Sequence, residues 1–254
     1  MTIHRSVSDE GILEMVMDNP PVNALSIGDT HAIADILDGL KNRPEVTAVI
    51  LTARGKGFCA GVDIKEMQSL PGHEGILGVN RACAEAFRAV YECAVPVICA
   101  VNDFCLGTGI GLAGSADVVV AASGAKFGLP EVDNGALGAA THLSRLVPEK
   151  QLRWMLYSCE PVAAEQLHEW GTVLQVVPAD ELLDAARELA RTIASKSPAV
   201  IRAAKASLNG IDTAPMNSYR FEQGFTYELN LLGHGDAARE SFLRGERDSN
   251  AAAD

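Results

Sequence analysis

Three nearly uninterrupted apolar runs constrain this 254-residue chain more than any other feature: Val46 to Thr52 (VTAVILT), Pro96 to Val101 (PVICAV) and Asp117 to Ala122 (DVVVAA). A strand with one face in water alternates apolar and polar residues, whereas a strand covered on both faces does not. Stretches with apolar positions at helical spacing precede the first run and separate it from the second. These are residues 26–42, with Ser26 placed as an N-cap, and residues 76–94. A further strand is expected over Gly11 to Met17, stopped by Asn19-Pro20-Pro21. Strand–helix–strand alternation with doubly buried strands predicts an α/β core of βαβ-type units around a mostly parallel sheet. From Pro178 onward nearly every segment reads as helix (180–195, 198–209, 215–231 and 236–243). That predicts a helical C-terminal region packed on, or exchanged beyond, the core.

Charge and composition narrow the function classes. The net charge of −12 excludes a general nucleic-acid binder and a protein held on an anionic membrane, because both need clustered Lys and Arg. A small polyanionic ligand remains open, since Arg54, Lys56 and Lys65 form a local cationic group. By spacing alone, those three are solvated surface charges. No run approaches the roughly 20 apolar residues that cross a bilayer. The first residues lack an apolar stretch behind a basic one, so a cytoplasmic protein is expected. Six cysteines with no C-x-x-C spacing, in a long apolar chain, read as reduced and mostly buried thiols. With no H-x-x-x-H pair among the histidines, a zinc site is not expected.

Three segments carry chemistry. In Arg54 to Met67 (RGKGFCAGVDIKEM) a strand runs through small residues into a helix that starts near Asp63. Small residues let a ligand approach the backbone, and amides at a helix start face negative charge. The same residues also suit a tight turn with no ligand. In Val101 to Leu112 (VNDFCLGTGIGL) a second buried strand enters a glycine-rich helix start. It is not a dinucleotide fingerprint, because it is internal and lacks the first βαβ context that fingerprint requires. In Phe127 to Val132 (FGLPEV), Glu131 follows a proline, which predicts an extended backbone there. Its apolar neighbours would raise the carboxyl pKa toward the range useful for proton transfer. An exposed loop glutamate is the plainer alternative.

Together these segments resemble the crotonase, or enoyl-CoA hydratase/isomerase, superfamily. The likeness is carried by Asn19 to Leu25 (NPPVNAL), Phe58 to Met67 (FCAGVDIKEM), Ala100 to Asn102 with the glycines after it, and Phe127 to Glu131. It implies a spiral of ββα units over residues 1–193 and a helical oligomerisation region over 194–254. It also implies a homotrimer or hexamer and CoA thioester substrates, with no cofactor beyond the CoA of the substrate. Two backbone amides, Val62 and Thr108, would form the family's oxyanion hole, where an amide needs little reorganisation as charge develops. Thr108 departs from the usual glycine. The CoA site would involve Ala60, Val62, Asp63 and Ile64 with Lys56 and Lys65. It would be closed by Phe242 and a C-terminal cation, for which Arg244 or Arg247 would substitute because the usual position falls on Gly245.

The acid/base pair departs further. Hydratases of the family carry two glutamates; the second is Glu131, and the first falls on Gly111. One carboxylate suffices for proton abstraction, for a proton shuttle or for activating water against a carbonyl. Phe87 to Ile98, residues 135–147 and Tyr219 to Asn230 resemble a subgroup more closely. It comprises the actinobacterial crotonases of cholesterol-ring degradation, which hydrolyse a carbon–carbon bond of a bicyclic β-keto acyl-CoA. An isomerase or hydratase with Glu131 as proton shuttle is the second expectation, and a non-catalytic acyl-CoA-binding partner the third. Asp103 and His142 are the remaining pocket candidates, as a second acid and as a group orienting a carbonyl or water. Solvent exposure for Asp103, and a backbone-satisfied helix position for His142, are the structural alternatives.

Overall fold

A computed structural model describes residues 2–211 and 216–245 of the chain. The three apolar runs become β3 (Ala48–Ala53), β4 (Val97–Val101) and β6 (Val118–Ala122), the centre of the larger sheet; the edge strand β1 (Thr2–Val7) and its neighbour β2 (Ile12–Asp18) precede them. Two strands of the smaller sheet, β5 (Cys105–Leu106) and β7 (Lys126–Gly128), flank β6 in sequence; β8 (Val162–Ala163) and β9 (Gln175–Val177) follow. The larger sheet runs β1-β2-β3-β4-β6-β9. Only the β1–β2 pair in it is antiparallel. The smaller sheet runs β5-β7-β8.

The helices are α1 (Ile27–Gly39), α2 (Ile64–Ser69), α3 (Glu74–Tyr91), α4 (Thr108–Ser115), α5 (Ala140–Leu143), α6 (Glu149–Ser158), α7 (Ala164–Glu169), α8 (Leu182–Ala194), α9 (Pro198–Ile211), α10 (Met216–Leu231) and α11 (His234–Leu243). Ser26 caps α1 in a reciprocal capping box with Asp29, which satisfies two otherwise orphan amides.

Burial explains the unbroken apolar strands. Ile50, Ile98 and Val120 face α8, packing with Leu182, Ala186 and Ala190. Their neighbours Val49, Leu51, Val97, Cys99 and Val119 join the main core on the other face, with Ile33 of α1, Phe87 of α3 and Ile110 of α4. A polar residue on either face would therefore be buried. Five cysteines are buried free thiols, and Cys159 is half-buried. Among the described residues, no helix is long and apolar enough to cross a membrane.

The sequence marks neither β1 nor the short strands β5, β7, β8 and β9. β1 is polar in sequence, and a strand of two or three residues cannot display a period. One local expectation is corrected. Glu131 has φ −63° and ψ −40°, a helical conformation that opens the short 3-10 turn Val132–Asn134. Proline restricts the residue before it, here Leu129, and leaves the residue after it free.

Candidate active site

Two strand-to-helix turns meet at the top of the core. In the first, Leu25 brackets Val62: the Leu25 amide donates to Gly61 O (2.9 Å) and the Asp63 amide donates to Leu25 O (2.8 Å). In such a parallel bridge the central residue turns its own N–H away from its partner. The Val62 amide accordingly has no protein acceptor among the described residues. In the second turn, the Leu106 amide donates to Cys59 O (2.8 Å), which ties the two turns together. Gly107 follows at φ +53° and ψ −111°, open only to a residue without Cβ. Thr108 then starts α4, and its amide likewise has no acceptor among the described residues. Unpaired amides at a helix start carry partial positive charge.

Glu131 closes this group. A Cβ placed on Gly107 would lie 2.6 Å from Glu131 Oε1 and 3.3 Å from the Gly61 Cα, so carboxyl and both turns are in close contact. Glu131 Oε2 is buried and has no partner among the described residues. Burial, with a smaller contribution from the Glu222 carboxylate, pushes the Glu131 pKa up to about 8. A group poised there holds or accepts a proton near neutral pH.

The cavity that contains these groups is walled by Met67, Ile76, Val79, Phe87, Leu137 and Tyr219. α10 holds one wall through its buried face. Thr226 accepts from the Leu137 amide and donates to its carbonyl. Glu222 accepts from the Ala140 and Thr141 amides (2.9 and 3.2 Å). Gln223 Nε2 donates to Asn80 O (2.6 Å). The C-terminal segment thus builds part of the cavity, beyond the oligomerisation role expected of it.

Residues 8–237 match the sequence model of the enoyl-CoA hydratase/isomerase family. The chain belongs to that family. A Rhodococcus jostii relative named "(7aS)-7a-methyl-1,5-dioxo-2,3,5,6,7,7a-hexahydro-1H-indene-carboxyl-CoA hydrolase" is 52% identical over 96% of this chain and 95% of its own length. A Mycobacterium tuberculosis relative of the same name is 51% identical over 96% and 99%. Among solved structures, an enoyl-CoA hydratase/isomerase from Xanthobacter autotrophicus superposes with a TM-score of 0.84 at 26% identity, covering 96% of this chain and 94% of that one.

Within this enoyl-CoA hydratase/isomerase fold, the sequence-derived residues separate. Ala60, Val62, Ile64, Thr108 and Glu131 line one cavity. Asp63 does not: its carboxylate accepts from the Lys65 and Glu66 amides (2.9 and 3.1 Å), which caps α2. Lys56 and Lys65 are exposed and form no ion pair among the described residues. Asp103 is exposed on the bend between β4 and β5, away from the cavity lining. His142 also lies outside the lining. Its ring packs against Phe87 (4.7 Å between centroids) and Tyr219 (5.0 Å), both of which do face the cavity. Burial, and secondarily the Arg145 charge, lowers the His142 pKa to about 3, so it is a neutral ring behind the wall. Neither ring nitrogen has a partner among the described residues, so the backbone-satisfied alternative is not met either. The Phe242 side chain and Arg247 lie outside the described residues.

Phe87, Asn80 and Arg239 line the same cavity and are not among the sequence-derived candidates. A Cβ on Gly111 would lie 1.9 Å from the Phe87 ring, so that ring fills the space a side chain at 111 would need. The trace of Asn80 in the sequence is one polar residue within the apolar stripe of α3.

Proposed function

We propose that this family member hydrolyses a carbon–carbon bond in a ring of a bicyclic β-keto acyl-CoA. The observation that carries the reading is a single half-buried carboxyl in the lining, Glu131 with its Oε2 enclosed, beside two unpaired amides, with the Phe87 ring in place of a second carboxylate. The names of the two hydrolase relatives support it, since they describe a fused-ring dioxo carboxyl-CoA as substrate.

The steps balance with these groups alone. Glu131 as carboxylate takes a proton from water, and the hydroxide adds to the ring ketone. The tetrahedral adduct collapses, and the bond from the former ketone carbon to the thioester α-carbon breaks. Its electron pair passes into the thioester enolate, whose oxygen the Val62 and Thr108 amides hold. Glu131 then returns the proton to the α-carbon, and the new carboxylic acid ionises. Preformed amides suit this because they are oriented before charge develops.

One variant isolates the amide. Thr108 is the first residue of α4, where proline fits the helix and removes an N–H that no protein acceptor uses. Thr108→Pro is expected to lower kcat about 10²-fold with KM little changed and the circular dichroism spectrum retained. An unaltered kcat would remove this amide from the mechanism.

Lys56 and Lys65, exposed beside the Ala60 to Ile64 turn, are the proposed contacts to the CoA phosphates, with CoA entering as part of the substrate. We also infer a cytoplasmic homotrimer or hexamer built through residues 194–254. Exposed Val200, Leu208 and Ile211 on α9 and Phe221 on α10 support assembly, and the free thiols support a reducing compartment.

The deciding experiment offers the protein crotonyl-CoA, a 3-enoyl-CoA and a bicyclic β-keto acyl-CoA. Mass-spectrometric gain of one water by the last substrate, with loss of its ring, is the expected result. Rapid hydration of crotonyl-CoA or isomerisation of the 3-enoyl-CoA, with the ring untouched, would replace this reading by hydratase or isomerase chemistry. Binding without turnover would leave a carrier of acyl-CoA.

A further inference from the structure

Two residues of the cavity lining carry buried polar atoms that the mechanism above does not use. Arg239, on α11, is only 5% exposed. Its Nη2 donates to Asn230 Oδ1 (3.0 Å) and Asp236 Oδ1 (2.6 Å). Its Nε and Nη1 are buried and have no partner among the described residues. The same holds for Asn80 Nδ2, on α3. Both residues line the cavity, and Arg239 is the only cation to do so among the described residues.

Buried, unmatched N–H groups on a guanidinium are costly to keep, and an apolar side chain would fill the same wall more cheaply. Three unmet donors on two residues of one largely apolar lining favour a ligand rich in acceptors or negative charge. The thioester oxygen is served by the Val62 and Thr108 amides. The exposed Lys56 and Lys65 stand outside the lining. What remains is the acyl group itself. Ring hydrolysis turns a neutral ketone into a carboxylate inside the cavity, whereas moving a double bond or adding water to one creates no lasting charge there.

We propose that Arg239 and Asn80 form the carboxylate-binding end of the acyl cavity, holding first the ring ketone oxygen of the substrate and then the carboxylate made from it. This assignment rests on the ring-opening reading of the same site. Arg239 is a binding group here, since proton transfer stays with Glu131. The cation polarises the ketone toward hydroxide attack and keeps the new acid ionised, which disfavours re-closure.

The test uses length-matched thioesters, so that it does not depend on turnover. Calorimetry compares adipoyl-CoA with hexanoyl-CoA and pimeloyl-CoA with heptanoyl-CoA. The parent is expected to bind each carboxylate-bearing member about 10-fold tighter than its apolar counterpart. Arg239→Met is expected to bring each pair within about 2-fold, leave hexanoyl-CoA affinity unchanged and keep or raise Tm. Arg239→Gln is expected to behave alike and covers the case in which the methionine packs badly. Absence of the preference in the parent, its survival in both variants, or failure of both to fold would overturn the assignment. A parent that shows the preference but opens no ring keeps the carboxylate site and discards the ring-opening reading. A parent that opens the ring without the preference does the reverse.

Discussion

Glu131→Gln is expected to lower kcat for ring opening about 10³-fold while raising the stability of the protein in alkaline solution. The two effects share one cause. Burial lifts the Glu131 pKa from an ordinary 4.5 to about 8. Below pH 4.5 the group is protonated in folded and unfolded chains alike, so it adds no pH-dependent term. Between 4.5 and about 8 the unfolded chain gives up the proton and the folded chain keeps it, so folding loses stability as pH rises; above 8 the loss is complete. Glutamine has no proton to lose and matches the carboxyl in shape. Its Tm is therefore expected to approach that of the parent near pH 4.5 and to exceed it by about 5 °C or more at pH 9. For the parent, kcat/KM should climb through pH 7 to a plateau beyond about 8, because the free enzyme must present the carboxylate. Thermal unfolding at pH 4.5, 7 and 9, paired with a pH–rate profile, checks all three points. A flat profile from pH 6 to 9 would remove Glu131 as the base.

Gly111→Ala is expected to destabilise the protein by about 1–3 kcal/mol, although alanine is the better helix former by about 1 kcal/mol. The added methyl would sit 1.9 Å from Phe87, whose ring is fixed by Tyr219 and His142 (5.2 and 4.7 Å between centroids). Shrinking the ring makes room. In a double-mutant cycle with Phe87→Ala, the pair should cost less than the sum of the singles by about 1–3 kcal/mol. The same space decides chemistry. Gly111→Glu with Phe87→Ala should raise crotonyl-CoA hydration about 10²-fold over the parent, because a second carboxyl then shares the cavity with Glu131. Gly111→Glu alone should misfold or stay inactive. Additive costs in the cycle, or full stability of Gly111→Ala, would show that the ring yields easily and is no barrier.

Much of this was legible in the sequence, and the limits have physical reasons. Unbroken apolar runs announced β3, β4 and β6, since two-sided burial leaves no polar positions. The small-residue turns announced close backbone approach, and the structure brings Gly61 and Gly107 together with Glu131. Neither Asp103 nor His142 reaches the cavity lining, and for Asp103 the solvent-exposed alternative is the one found. One is turned outward on a bend, and the other is pulled behind Phe87 and Tyr219 by core packing. Arg239 was illegible for another reason. Its burial depends on α11 lying over the cavity, a contact between distant parts of the chain that no local pattern records. Phe87 read as one more core aromatic, because only the three-dimensional register against Gly111 gives it a second meaning.

The two ends of the cavity are built from different material. In the proposed mechanism the thioester end is made by main-chain amides on the α/β core, which exchanges other than proline leave in place. On the same reading the acyl end is made by side chains, many of them on α3, α10 and α11. Variation therefore has an asymmetric route through such a protein. Exchanges on the helices can change which acyl groups are admitted, generation after generation, while the device that activates the thioester passes on untouched.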